Sequence, residues 1–559
     1  MDCCTLNVDR VRSDRPHTFV HHEPMRCDCG AAVEARIVLR GDEVVALKLC
    51  LSCGPTEETL RQGARQYVDE LVARGQQEGL FKHTTSTCPS CLDLVSARVM
   101  IRSGRVYFEK SCPRCGESNA LVSEDANHYS GAYAYARAGT EPLERAMSVR
   151  RGCPADCGSC ADHEQHTCLP IVEVTDHCNL DCPICIVDNH HAHHLGVSEF
   201  REIVDRLIRA EGTLESIALS GGEPTSHPRI LELLDAADRP EIARVVLITN
   251  GLRLGRNRPF AEAIKARGVY VSLQLDGFTA SAHEVIRGRD LTSEKRAALE
   301  ALETLQIPTQ LIYVAARGVN EDQIGKVVDL FLEKPHILSL NFQPAAHTGQ
   351  GGGRFPHDAL DRLTIPGVIR RIEEQTGGRI KSTDFAPLPC SHPLCVSLTY
   401  LLRLDDGTLI PLPRFMDLKR HAALLRSSAT LGASSEMEVA LEDLVYDVFA
   451  RESEIPRGPD ILKALRRTLD VMFPGRPLSH KEQVRIGEQQ SKSIFLHHYM
   501  DRHDFDLERL RKCCHHYARV DGRVMPACGF NMFHRGAAKG GDTPVAQLEA
   551  RRARLGVVP

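Results

Sequence analysis

Three cysteines, Cys178, Cys182 and Cys185, stand at C-x3-C-x2-C spacing just after the apolar run Ile171-Val172-Glu173-Val174. Three thiolates at that spacing bind three irons of a [4Fe–4S] cube and leave the fourth iron open. Four cysteines are the usual complement, so an open iron points to a small ligand bound there during turnover. The plainer alternative is a zinc knuckle, or half of a four-cysteine site. More thiols surround this run, for the chain has 22 cysteines. Cys153, Cys157, Cys160 and Cys168 lie close together in a stretch rich in Gly, Pro and Asp, where Pro154 and Gly158 make tight turns. That suits wrapping an auxiliary [4Fe–4S] cluster, with zinc as the alternative. Cys390 and Cys395, one of Cys513 or Cys514 (Cys514 is taken), and Cys528 make a second auxiliary set. Cys3 and Cys4 have no evident partner.

The N-terminal cysteines form two copies of one pattern. Cys27 and Cys29, then Cys50 and Cys53, bracket a segment that alternates like a hairpin; Cys88, Cys91, Cys112 and Cys115 repeat it. Each copy reads as a Cys4 ribbon for zinc or a single iron, since both metals accept four thiolates.

Downstream of the cysteine run comes Ser220-Gly221-Gly222-Glu223-Pro224. Two glycines let a backbone approach a ligand closely, and a buried acceptor can hold an ammonium. Thr249-Asn250-Gly251 follows the third apolar run, and the fourth ends in Ser272-Leu273-Gln274-Leu275-Asp276-Gly277. With these motifs the chain resembles the radical S-adenosylmethionine (SAM) superfamily. The resemblance implies that SAM chelates the open iron through its amino and carboxylate groups. Gly221, Gly222, Glu223 and Pro224 would then hold the methionine amino group, with Asn250, Gln274 and Asp276 as further contacts. An electron from the cluster would cleave SAM to a 5′-deoxyadenosyl radical that abstracts hydrogen. One departure is Ile184, where the superfamily commonly has an aromatic residue.

The elements that must position these residues read as a repeating unit. Strands fall at 171–176, 217–219, 245–248, 269–275, 310–314 and 337–342; amphipathic helices fit at 198–210, 229–237, 258–267, 293–306 and 321–333. Buried strands alternating with helices make a parallel sheet, and curled into a partial (β/α)6 barrel it puts its site at the C-terminal strand ends. The expected units are ribbons at 20–60 and 80–125, a cluster loop at 150–170, the α/β barrel at 171–345, and a C-terminal region at 346–559. The last is mainly helical over 414–510, completes the second auxiliary cluster and covers the site. Gly349 to Gly353 read as a mobile loop over the barrel mouth, and His190 to His194 as a solvated or substrate-lining loop. Ile286-Arg287-Gly288-Arg289-Asp290 is either an anion site or a junction with surface ion pairs.

Composition sets outer limits. At 559 residues and net charge −5, with 26% charged residues, the chain has room for several domains and is no basic nucleic-acid binder. No run of about 18 apolar residues is present, and paired cysteines in so long a chain suit a reducing, cytoplasmic setting.

A narrower likeness rests on the run Gly152-Cys153-Pro154-x-Asp156-Cys157-Gly158, on Pro389-Cys390-Ser391-His392-Pro393-Leu394-Cys395, and on Asp521-Gly522-Arg523-Val524-x-Pro526-x-Cys528. Together with the second ribbon, these resemble the tetraether lipid synthase family. That resemblance implies carbon–carbon coupling of lipid chain termini, a lipid substrate, peripheral contact with the inner membrane face, and a ferredoxin or flavodoxin as electron donor. Related proteins imply a second reading, a methylase acting on a pterin-type substrate. A third is a non-enzymatic iron–sulfur electron-transfer scaffold, which would release no 5′-deoxyadenosine from SAM.

Overall fold

A computed structural model describes residues 12–535, apart from 51, 150–151, 188–192, 350–353, 419 and 422–434. Cys3, Cys4 and most of the His190–His194 and Gly349–Gly353 segments lie outside the described residues. Two four-stranded antiparallel sheets come first: β1 (Thr18–Arg26), β2 (Ala32–Arg40), β3 (Glu43–Cys50) and β4 (Gly54–Gln62), then β5 (Gly79–Thr87), β6 (Leu94–Arg102), β7 (Arg105–Cys112) and β8 (Gly116–Ser123). Both have the order first–second–third–fourth. Burial alternates residue by residue along β6, as a half-buried strand requires. The β6–β7 turn takes Ser103 and Gly104 to φ of 51° and 69°, the paired positive angles of a tight hairpin whose twist matches its strands.

The barrel strands are β9 (Leu169–Thr175), β10 (Leu214–Gly221), β11 (Ile242–Thr249), β12 (Tyr270–Gln274), β13 (Thr309–Ala315) and β14 (Ile337–Pro344). They pair in sequence order, all parallel. Helices Val197–Glu211, Ile230–Ala237, Arg258–Ala266, Thr292–Thr304 and Ile324–Glu333 cross between them. One apolar core joins these helices to the sheet through residues such as Phe200, Leu219, Val271 and Phe331. This is the parallel α/β barrel that the alternation of runs predicted.

The C-terminal region carries the expected helices, Ser435–Ala450, Gly458–Met472 and His480–Gln490, and also adds strands to the sheet. These are β15 (Ala386–Pro387), β16 (Val396–Arg403), β17 (Leu409–Pro411), β18 (Ser491–His497), β19 (His515–Ala518) and β20 (Val524–Pro526). β18 runs parallel to β14 at one side of the barrel strands, and β19 parallel to β9 at the other. All seven residues of β18 are buried, so it shows no alternation and could not be told from helix by periodicity. Among the described residues no helix is long and apolar enough to cross a membrane.

The ribbons dock through buried charge. His22 N–H donates to Glu508 Oε1 at 2.7 Å, Thr84 Oγ1 to Asp506 at 2.8 Å, and Lys82 pairs with Glu508. Glu164 meets His17 at 3.1 Å and Arg36 at 2.9 Å, with Arg15 at 3.5 Å. Burial would raise the Glu164 carboxyl, but His17, Arg15 and Arg36 outweigh it and hold it at about 2. A depressed folded value means the contribution is complete above the ordinary value near 4.5 and is lost as pH falls from there toward 2. The expected size is about 3 kcal/mol. Thermal melts of wild type and Glu164→Gln should differ above pH 5 and converge as pH falls toward 2; a gap of unchanged size down to that pH refutes this.

Candidate active site and metal centres

Six strand ends converge on a cavity of about 200 Å³ lined by Cys178, Cys182, Cys185, Gly221, Gly222 and Glu223. Asn250, Gln274, Arg287, Gln343, Tyr499 and Tyr517 complete its polar and aromatic wall. The cysteine loop leaves β9 at Thr175 and packs with Leu180, Leu252 and Leu291. Burial in that apolar setting pushes the Cys178 thiol up to about 12 and the Cys185 thiol to about 11. Such thiols stay protonated until a metal takes the proton's place. Ile184 is buried against Ile286, Ala316 and Phe355.

The glycine pair is fixed by contact with this loop. Gly221 has φ +128°, and a Cβ there would lie 2.2 Å from the Thr175 carbonyl oxygen; at Gly222 it would lie 2.4 Å from that of His177. Gly222 N–H donates to Thr175 O and Glu223 N–H to His177 O, both at 2.8 Å. Only residues without a side chain allow that approach. Gly222→Ala is expected to cost about 1–3 kcal/mol by overpacking and to weaken SAM binding roughly ten- to hundredfold. Equilibrium SAM titration of the anaerobic protein checks this, and wild-type affinity overturns it.

Glu223 is 1% exposed. Its Oε1 accepts from Thr225 N–H (3.0 Å), Thr225 Oγ1 (2.6 Å) and Thr249 Oγ1 (2.7 Å), and its Oε2 from Asn250 N–H (2.8 Å). The carboxylate thus ties the β10 loop to the end of β11. Pro224 opens the short turn after it and is buried. Asn250 Nδ2 donates to Asn179 Oδ1 at 2.7 Å, linking that turn to the cysteine loop.

Asp276 departs from its expected place. It is fully buried, absent from the cavity wall, and accepts two hydrogen bonds from Arg287 at 2.7 and 3.0 Å. Its role is to hold Arg287, which does line the cavity beside Gln274. The rest of that junction is surface: Arg289 pairs with Glu294 at 3.1 Å, and Asp290 accepts from Thr292. Lys295, also buried, donates to the carbonyls of Asn250 (2.7 Å) and Gln274 (2.6 Å). A lysine on the apolar stripe with Ala298 and Leu302 was the available signal for it. Tyr499 and Tyr517 come from remote C-terminal segments that no local pattern marks.

The auxiliary cysteines are regrouped relative to the sequence reading. Cys168 leaves Cys153, Cys157 and Cys160; its sulfur lies with those of Cys390 and Cys514, all within 4.8 Å of one another. Cys157 instead has Cys153, Cys513, Cys160 and Cys528 as its thiol neighbours, and Cys513 has Cys528 and Cys395. The two adjacent cysteines thus face different groups of thiols. They lead into β19, and successive side chains of extended backbone point to opposite sides. Among the described residues no three of the thiols around Cys157, nor the three of the Cys178–Cys185 trio, all lie within 4.8 Å of one another, which fits clusters whose thiolates bind separate irons. In the ribbons, Cys27, Cys29, Cys50 and Cys53 form one compact set and Cys88, Cys91, Cys112 and Cys115 another. Sulfur separations of 3.6 Å (Cys29–Cys50) and 3.8 Å (Cys91–Cys112) fit one tetrahedral ion per ribbon.

Comparison with known proteins defines the class. Residues 172–331 belong to the radical SAM superfamily, and residues 80–124 match the HMPTM N-terminal zinc ribbon domain. The chain is thus a radical SAM enzyme with an N-terminal zinc ribbon, and it uses a [4Fe–4S] cluster and SAM. Its relatives include the 7,8-dihydro-6-hydroxymethylpterin dimethyltransferase of Methanocaldococcus jannaschii, 29% identical over 81% of this chain and 94% of that protein. GTP 3′,8-cyclase of Alkaliphilus metalliredigens is 27% identical over 43% of this chain and 79% of that protein. Streptococcus suis SuiB bound to its precursor peptide SuiA aligns with a TM-score of 0.33 at 16% identity, covering 39% of this chain and 47% of that one. The expectation of lipid-chain coupling is corrected by the first of these: the relative matched along most of the chain is a pterin methylase.

Proposed function

We propose that the protein is a radical SAM methylase acting on a reduced pterin. The observation that carries the reading is the extent of the pterin methylase likeness, which covers 81% of this chain and 94% of that protein. The cavity supports it. Gln274, Gln343 and Arg287 offer donors and acceptors to the edge of a flat heterocycle, and Tyr499 and Tyr517 offer ring faces. When bound, cluster and SAM supply a 5′-deoxyadenosyl radical able to take hydrogen from an unactivated carbon. The chain's own groups do the positioning: Gly221 and Gly222 admit the ligand to the backbone, Glu223 and Asn250 lock two strand-end turns, and Arg287, steadied by Asp276, presents a fixed positive charge.

The test is anaerobic incubation of the reconstituted protein with SAM, a reduced ferredoxin or flavodoxin, and 7,8-dihydro-6-hydroxymethylpterin. The reading expects 5′-deoxyadenosine together with pterin carrying one or two added methyl groups, and methyl-labelled SAM identifies whether SAM is the carbon source. Deoxyadenosine formed with the pterin left unmethylated overturns the substrate assignment.

A further inference from the structure

The short helix Leu507–Arg511 runs almost directly into Cys513 and Cys514, and cations at its end stand at different thiols. Arg509 Nε donates to Cys395 Sγ at 3.4 Å. Arg511 lies beside Cys153, and Lys512 beside Cys390 and Cys514. Arg509 is only 3% exposed, so its bond to sulfur is shielded from water. The Cys395 thiol neighbours that of Cys513, as does the thiol of Cys528. Among the described residues these three sulfurs do not all lie within 4.8 Å of one another, which fits thiolates on separate irons of a cluster. We infer that Arg509 sets the reduction potential of the auxiliary iron–sulfur group held by Cys395, Cys513 and Cys528, raising it by bonding to a ligand sulfur.

The guanidinium is fixed in place. Its Nη2 donates to His498 O at 2.8 Å, and His498 N–H donates to Cys395 O at 2.9 Å. Cation and sulfur are thus joined through one residue, and neither moves without the other. The nearby Asp504 is taken by His498 at 2.7 Å and by Arg362 at 3.5 Å; among the described residues no carboxylate forms an ion pair with Arg509 itself. Met500 N–H supplies a second donor, to Cys528 Sγ at 3.3 Å. Hydrogen bonds to the sulfurs and net charge are among the levers that set a cluster's potential. A charged donor acts more strongly than a neutral amide, and the dry interior strengthens it further. Reduction places one more negative charge beside the guanidinium, so the reduced form gains most. The step is a single electron transfer: a one-electron donor of the ferredoxin or flavodoxin class is oxidised, the cluster is reduced, and no bond breaks. The assignment rests on the auxiliary group alone and holds for any substrate in the cavity.

Potentiometric titration followed by electron paramagnetic resonance tests this on the anaerobically reconstituted full chain, with iron counted in each sample. Cys395→Ser marks the signal that belongs to this group, and added SAM marks the signal of the Cys178–Cys185 cluster. Arg509→Met is expected to keep its iron and to lower the midpoint of the first signal by at least a factor of ten in the equilibrium constant, about 59 mV for one electron. The SAM-responsive signal should keep its midpoint. An unchanged midpoint in Arg509→Met at full iron content overturns the assignment, as does an equal shift of both signals. So does Cys395→Ser with iron and every signal as in wild type. Should Arg509→Met fail to hold its iron, Arg509→Gln, which keeps a polar side chain but removes the charge, decides alone: a lowered midpoint supports the assignment and the wild-type midpoint overturns it.

Discussion

Replacing Cys182 by Ala is expected to lower reductive cleavage of SAM roughly a thousandfold or more, well beyond the ~10–100-fold cost of losing a partner outside a metal's own ligands. Cys182 is the middle member of the trio, 7% exposed, and sits in the apolar pocket with Leu180, Leu252 and Leu291. Among the described residues nothing in the wall can substitute for it: apart from Cys178 and Cys185, its own partners, the wall supplies a carboxylate, carboxamides, a guanidinium and phenols but no further thiol. The metal content of the ribbons should be unchanged, since their cysteines are held by separate sheets. Quantifying 5′-deoxyadenosine under dithionite, alongside metal content, decides the matter. Substantial turnover by Cys182→Ala would mean the cluster is held elsewhere.

The second large effect falls on stability. Asp276 and Arg287 form a fully buried, two-pronged pair, and Asp276 also accepts from Val314 N–H at 3.1 Å. Asp276→Ala strands a guanidinium in the barrel interior, which costs about 3–5 kcal/mol. The double variant Asp276→Ala/Arg287→Met should recover much of that loss, because the penalty belongs to the uncompensated charge and not to the missing contact. Denaturant unfolding of both variants measures this. A double variant no more stable than Asp276→Ala would place the cost in the Val314 contact and the cavity left behind.

The barrel was legible because its signal is local. Each of the six strands is a short apolar run, helices of regular period lie between them, and the glycine pair and cysteine run fall at strand ends. The C-terminal strands were not legible, for β18 is buried throughout and β19 has only four residues. The auxiliary cysteines misled for a related reason. Closeness in sequence grouped Cys168 with Cys160, whereas the start of β9 carries Cys168 toward Cys390 and Cys514. Asp276 looked like a ligand contact because a carboxylate at a strand end invites that reading. Its partner Arg287 lies one helix further on, at the end of Ala280–Arg287, and only the fold brings the two together.

Strands β18 and β19 are near neighbours in the chain yet pair with opposite ends of the barrel series, β14 and β9. Laid flat, those two strands would stand about 34 Å apart. The stretch 498–514 joining them crosses the gap, carries Tyr499 to the cavity and meets the docked ribbons through Asp506 and Glu508. During synthesis the trio that holds the catalytic cluster emerges from the ribosome some 300 residues before this strap. A nascent chain therefore owns its cluster ligands long before it owns the wall that shelters them, and its cavity stays open to water and oxygen until residues 498–514 have been made. Cluster insertion is best timed after that point, and truncation before residue 498 should yield protein that binds iron but loses it in air.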